Sequence, residues 1–200
     1  MKDIVLASQS IDRSELLKNA KIPFEIAITN VNEEEYKKRI KDPIKLVIEL
    51  AKAKVLDVKN KLKIDSIVIA ADTVIELNGE IIGKASDESD AFNILKKLNN
   101  KAHNLITGIA ITETNNPKII YDHNITIVEF LNLSDEELWN YVKTEEWKGR
   151  AGAYSIKDKA SFFIRIIKGS PTNVIGLPMH RIFEILKNEF GINLLNIKNV

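Results

Sequence analysis

Between Ile67 and Ile75 the chain is nearly unbroken in apolar residues, as a strand buried on both faces should be, yet Asp72 sits inside it and Thr73 follows. A buried carboxylate without partners costs several kcal/mol or more, so such a group is paired, bound to metal, or placed at a wet strand end. It either accepts hydrogen bonds from a neighbouring turn or does chemistry at the mouth of a cleft. Lys54 is a second oddity, because it lies on the apolar face of a helical pattern with Leu50 and Val58, where a lysine snorkels to water or reaches a polar cleft. Ser8, Ser10 and Arg13 stand where a strand feeds a helix, and hydroxyls, free N–H groups and a guanidinium there suit one anion; Ser10 or Asp12 capping the helix, with Arg13 at the surface, accounts for them equally. Lys84 follows a tight turn. Arg150 has Gly149, Ala151, Gly152 and Ala153 around it, small residues that admit a ligand to the backbone or let a tight turn pack on the sheet. Together these groups describe a cleft with one buried carboxylate, several cations and a helix N-terminus, which is how a protein holds a polyphosphate and a divalent ion.

The elements that must carry them follow from periodicity and capping. The chain opens as strand, polar turn and helix, with Asp12 and Glu15 three residues later predicting the helix start. Residues 23–31 read as a second strand and 32–41 as a polar connection. A long helix follows over 42–62, with Asp42 as cap, Pro43 at its first position, and Val47, Leu50, Ala51, Val55 and Val58 on one face. The strand carrying Asp72 turns at Asn78-Gly79 into a hairpin that delivers Lys84. An amphipathic helix over 87–100 precedes two antiparallel strands, 103–113 and 119–133, joined by 114–118. Ser134 and Glu137 form a capping box for the next helix. Residues 149–178 read as loop, strand and loop, and 179–190 as a closing helix.

Composition narrows the function classes. A chain of 200 residues with 44% hydrophobic and 28% charged residues fits one globular domain, or one domain with two lobes. Its 29 basic and 28 acidic residues leave a net charge of +1, and with 6% aromatics this argues against nucleic acid as a partner. With no cysteine there is neither a disulfide nor a thiolate metal site. His103, His123 and His180 lack the spacing of a zinc site, and there is no GxxxxGK[ST] or GxGxxG. No apolar run reaches bilayer length and the N-terminal one is too short for a signal peptide, so a cytoplasmic protein with no membrane association is expected.

The segments LASQSIDRSELL, VNE at 31–33, LAKAKV, AADTVIELNGEIIGK, TGIAI, GRAGAY and NVIGLP, in this order and spacing, make the chain resemble the Maf family of nucleoside triphosphate pyrophosphatases from Ile4 to about residue 190. The resemblance implies an elongated, two-lobed α/β mixed-sheet domain with a central cleft, similar to inosine triphosphatases, formed by residues 1–200 as a single domain and often assembled as a homodimer. It implies attack of water on the α-phosphorus of a nucleoside triphosphate, with release of a monophosphate and pyrophosphate, and a divalent cation, Mg²⁺ or Mn²⁺, as cofactor. Such an enzyme would remove noncanonical or surplus nucleotides. Asp72 matches the family's proton acceptor and Glu33 a second carboxylate for the metal, while Lys54 and Lys84 match its cleft lysines. Ser8 and Arg13 match the phosphate-binding turn; Ser10, Asp12, Thr73, Arg150 and Lys157 complete the residues expected at the substrate. Thr73 fits the subgroup acting on dTTP and UTP, whereas Ile11, Asp12 and Lys157 depart from its pattern, and the 7-methyl-GTP subgroup fits worse. The alternative is a nucleotide-binding regulator of cell division with little catalysis.

Overall fold

A computed structural model describes residues 2–197. In chain order the elements are β1 (Asp3–Leu6), α1 (Ile11–Asn19), β2 (Glu25–Ile26), α2 (Glu33–Arg39), α3 (Pro43–Lys59), β3 (Ser66–Leu77), β4 (Glu80–Ile82), α4 (Glu88–Leu98), β5 (Ala102–Glu113), β6 (Ile119–Phe130), α5 (Asp135–Val142), β7 (Ile164–Lys168), α6 (Pro171–Val174) and α7 (Met179–Phe190). The sheet is mixed α/β in connection, with strand order β2-β1-β3-β5-β6-β7 and β4 paired to β3. β1 runs parallel to both β2 and β3, whereas the β3–β4 and β6–β7 pairs are antiparallel. Backbone packing divides the described chain into two compact units. The first holds everything up to Asp72, Thr107–Asn124 and the residues from Gly176; the second holds Thr73–Ile106 and Ile125–Ile175.

In the first unit β1 and its portions of β3 and β5 are buried on both faces, and alternation decides what each residue meets. Ile4 and Leu6 of β1, Ile67, Ile69 and Ala71 of β3, and Ile109 and Ile111 of β5 pack with Leu17 of α1 and Ile182, Ile185 and Leu186 of α7. Val5, Ala7, Val68, Ala70 and Ala110 point the other way, onto Ala51, Val55 and Val58 of α3. Asp72 continues the second series, two residues beyond Ala70, so it emerges on the face covered by α3. The alanines on that face let α3 lie close. Gly108 brings it closer still, since a Cβ there would stand 2.4 Å from the carbonyl carbon of Val47. α3 begins where the sequence places it: Asp42 accepts from the Lys45 N–H at 2.6 Å and Pro43 occupies the first turn, where a missing N–H costs nothing.

Four expectations are corrected. Helix α1 is capped by Ser10, whose Oγ accepts from the Arg13 N–H, while Asp12 lies within the first turn. There its charge suits the helix dipole, but its side chain is past the position that can cap. Residues 32–41 contain a helix, α2, with no buried residue; three glutamates in its first turn, three basic residues in its last and a Glu34–Lys37 ion pair at 2.6 Å support it without an apolar stripe. The strand over 23–31 shrinks to the two residues of β2, both exposed. Helices α3, α4, α5 and α7 and the Asn78-Gly79 turn, with φ of 53° and 84°, agree with the sequence pattern, whereas α6 is a short helix in a stretch read as loop, started by Ser170 as cap and Pro171 in its first turn. Ser134 and Glu137 form the full capping box of α5.

The core of the second unit is aromatic. Phe130 is packed edge-on by His103, Tyr154 and Phe163, with ring centroids 4.9–5.0 Å apart. Burial holds the His103 imidazole down to about 4 from its ordinary 6.5. The folded protein therefore resists a proton that the unfolded chain accepts. Stability from this group is complete above pH 6.5 and is lost as pH falls toward 4, by about 3 kcal/mol in all. Urea midpoints followed from neutral pH to about 4 are expected to fall more steeply for the native chain than for His103→Leu.

Candidate active site

The first unit gathers most of the residues singled out above. After β1, the Ser8 Oγ is buried and accepts from the Ser10 N–H at 3.2 Å and from Arg13 Nη1 at 3.3 Å. Arg13 Nε donates to the carbonyl of Gly176 at 2.7 Å, so the guanidinium is held across the turn instead of trailing into solvent. Desolvation lowers the Arg13 pKa from its ordinary value, and the charges of Asp72, Glu33 and Asp12 oppose that shift. These three carboxylates therefore act on one guanidinium. Lys54 completes the cluster. Its Nζ lies 2.6 Å from Asp72 Oδ1 and 2.7 Å from Glu33 Oε1, with the lysine side chain 7% exposed and that of Asp72 10%. The lysine reaches a polar partner and does not snorkel, because its place on α3 faces the β3 surface on which Asp72 emerges.

This arrangement can do two things chemically. A carboxylate aimed by a hydrogen bond from an ammonium can take a proton from water. A serine-lined helix N-terminus with an arginine can bind phosphate oxygens. Among the described residues no group of three or more His, Cys, Asp or Glu side chains could hold a metal alone. Asp72 and Glu33 nevertheless converge on one point, and with Asp12 they set three carboxylates against two cations. One or two carboxylates completed by substrate phosphates and water is the way Mg²⁺ is usually held, so the donor set fits such an ion.

The second unit carries Thr73, Lys84, Arg150 and Lys157. Thr73, partly exposed, follows Asp72 on β3 and so points to the opposite face of the strand. Lys84 lies just past β4, where it forms an antiparallel bridge with Ala151, and the Gly152 N–H donates to the Gly83 carbonyl at 2.9 Å. Gly152 is required there twice over: its φ is +71°, and a Cβ would come within 2.0 Å of Ile75 Cδ1. The small residues around Arg150 thus serve a tight turn packed on β3. Arg150 donates from Nη1 to the Glu146 carbonyl and places Nη2 3.7 Å from Asp158. The Lys157 N–H donates to Ser155 Oγ at 3.4 Å.

Sequence reasoning missed the Gly176 carbonyl, although NVIGLP carries it, because a backbone acceptor has no side-chain signature. It also placed Glu33 in a loop, whereas Glu33 is the first residue of α2.

The chain belongs to the Maf family: the model described as Maf-like protein matches residues 3–189. Among its relatives are proteins named dTTP/UTP pyrophosphatase from Alkaliphilus oremlandii (strain OhILAs), 44% identical over 195 residues, covering 98% of this chain and 100% of that protein, and from Clostridium tetani (strain Massachusetts / E88), 38% identical, covering 96% and 100%. Another of that name, from Thermoanaerobacter sp. (strain X514), is 40% identical and covers 96% and 99%. Among solved structures, the Staphylococcus aureus Ham1 protein shows a partial likeness, with a TM-score of 0.43 and 21% identity over 64% of this chain and 72% of that one. No helix among the described residues is long and apolar enough to cross a membrane.

Proposed function

We propose that this protein is a nucleoside triphosphate pyrophosphatase, a hydrolase that directs water at the α-phosphorus and releases a nucleoside monophosphate and pyrophosphate, with dTTP and UTP as its substrates. The observation that carries this reading is the constellation of buried Asp72 and Lys54 with the partly exposed Glu33, in the same unit as the Ser8–Arg13 turn. Its near full-length relatives are named for that activity on dTTP and UTP.

In this reading Asp72 accepts the proton of the attacking water, and Lys54 keeps the Asp72 carboxylate aimed until substrate arrives. Charge develops on the nonbridging and leaving oxygens of the reacting phosphate, so fixed cations supply much of the catalysis. Arg13 and the hydroxyls of Ser8 and Ser10 bind phosphate oxygens at the start of α1. Asp72 and Glu33 are the residues that would hold Mg²⁺ or Mn²⁺, an ion that neutralises phosphate charge when bound. In the second unit Lys84 is assigned to charge neutralisation as a catalytic cation, and Thr73, Arg150 and Lys157 to substrate binding. Asp12, partly exposed in the first turn of α1, is the residue through which the base preference can depart from that of the relatives.

Pyrophosphate release from a panel of common and modified triphosphates, with Mg²⁺ or Mn²⁺, tests the reading. Turnover of dTTP and UTP ahead of the purine triphosphates is expected. Silence across the panel together with tight nucleotide binding would replace it with a binding protein that regulates by occupancy.

A further inference from the structure

His103 takes no part in the chemistry above, yet it is among the few polar side chains buried in the second unit, at 3% exposure. Its Nε2 lies 2.9 Å from Tyr154 Oη, and its Nδ1 has no hydrogen-bond partner. An imidazole with one nitrogen orphaned in an aromatic core is a poor choice for stability, since an apolar ring would pack against Phe130 without leaving a polar atom unmet. What the histidine does supply is a fixed point for the Tyr154 hydroxyl.

Tyr154 belongs to a segment fixed at three places. Ala151 is bridged to Lys84, Tyr154 is bonded to His103, and the Ser155 N–H donates to the buried hydroxyl of Tyr141 at 3.2 Å. Between the first and second of these the chain passes through left-handed conformations at Gly152 and at Ala153, φ 71° and 59°. A non-glycine residue there is a backbone state that surrounding contacts must hold. Arg150 and Lys157 hang from the two ends of the segment so fixed, and Lys84 is bound to its first residue.

We infer that His103 is a positioning residue: by holding the Tyr154 hydroxyl it sets the conformation of residues 151–155 and thereby places Arg150, Lys157 and Lys84 for the nucleotide. This rests on the proposed assignment of those three cations to substrate. The pair acts on binding, through the position of charges, and leaves the proton transfer at Asp72 alone.

The test is a double-mutant cycle of Tyr154→Phe and His103→Leu, read as KM and kcat with dTTP or UTP, as nucleotide affinity by calorimetry, and as Tm. Tyr154→Phe keeps the ring packing and removes only the hydroxyl. Each single variant is expected to raise KM and Kd about fivefold, the worth of one net hydrogen bond, with kcat within about twofold and Tm lowered, since each leaves the buried partner atom unmet. The double variant should add nothing further. His103→Gln, whose amide nitrogen reaches the position of Nε2, should restore most of the affinity. Unchanged KM and Kd in both single variants, or fully additive losses, would overturn the inference. If the native chain binds triphosphates but releases no pyrophosphate, the pyrophosphatase reading fails while the affinity cycle still decides the role of His103. If it binds none, both fail.

Discussion

Asp72→Asn is expected to lose pyrophosphate release by on the order of a hundredfold or more while keeping its nucleotide affinity. The amide matches the carboxylate in shape, so its oxygen can still accept from the Lys54 ammonium, and Lys54 retains Glu33 at 2.7 Å. What the variant cannot do is accept a proton from water. It also lacks a negative charge that would repel a triphosphate, so binding should hold or tighten as turnover disappears. Initial rates and calorimetric affinity, with Tm as a check on folding, separate the two. A rate near that of the native chain would remove Asp72 from the role of base.

Lys54→Met is expected to reduce turnover by a similar factor and, unlike Asp72→Asn, to destabilise the protein strongly in the absence of ligands. Asp72, 10% exposed, would then face the partly exposed Glu33 as a like charge, and removing the partner of a buried charge typically costs about 3–5 kcal/mol. The divalent ion that Asp72 and Glu33 are proposed to hold should recover part of the loss. A thermal shift on adding Mg²⁺ or Mn²⁺ is therefore expected to be larger for the variant than for the native chain. Equal stability of the two proteins without metal would show that Lys54 does not hold the pair together.

Much of this site was visible in the sequence, for a physical reason. A carboxylate that interrupts the apolar run at Asp72 and a lysine in phase with Leu50 and Val58 are violations of burial rules, and such violations concentrate where function outweighs stability. The pairing of the two was not visible. Parity along β3 puts Asp72 on a face with Val68 and Ala70, but only the docking of α3 on that face, at Gly108 and the alanines, shows which lysine it meets. α2 escaped notice because its stability comes from end charges and the Glu34–Lys37 pair, so hydrophobic periodicity had nothing to report. At α1 the Asp12–Glu15 spacing imitated a capping box, while Ser10, two residues earlier, was in place to reach the Arg13 N–H. The small residues of GRAGAY left two uses open; Gly152 against Ile75 shows the turn using its glycine for packing. His103 was judged only for metal spacing, and its tie to Tyr154 joins residues 51 positions apart, which no local pattern encodes.

The most direct measurement follows the oxygen of water. When dTTP or UTP is turned over once in ¹⁸O-enriched water, the label should enter the nucleoside monophosphate and not the pyrophosphate, and with Asp72→Asn no labelled monophosphate should form on the same timescale. Label found in pyrophosphate or inorganic phosphate, or labelled monophosphate formed equally fast by the variant, would contradict the assignment of Asp72 to activating water at the α-phosphorus.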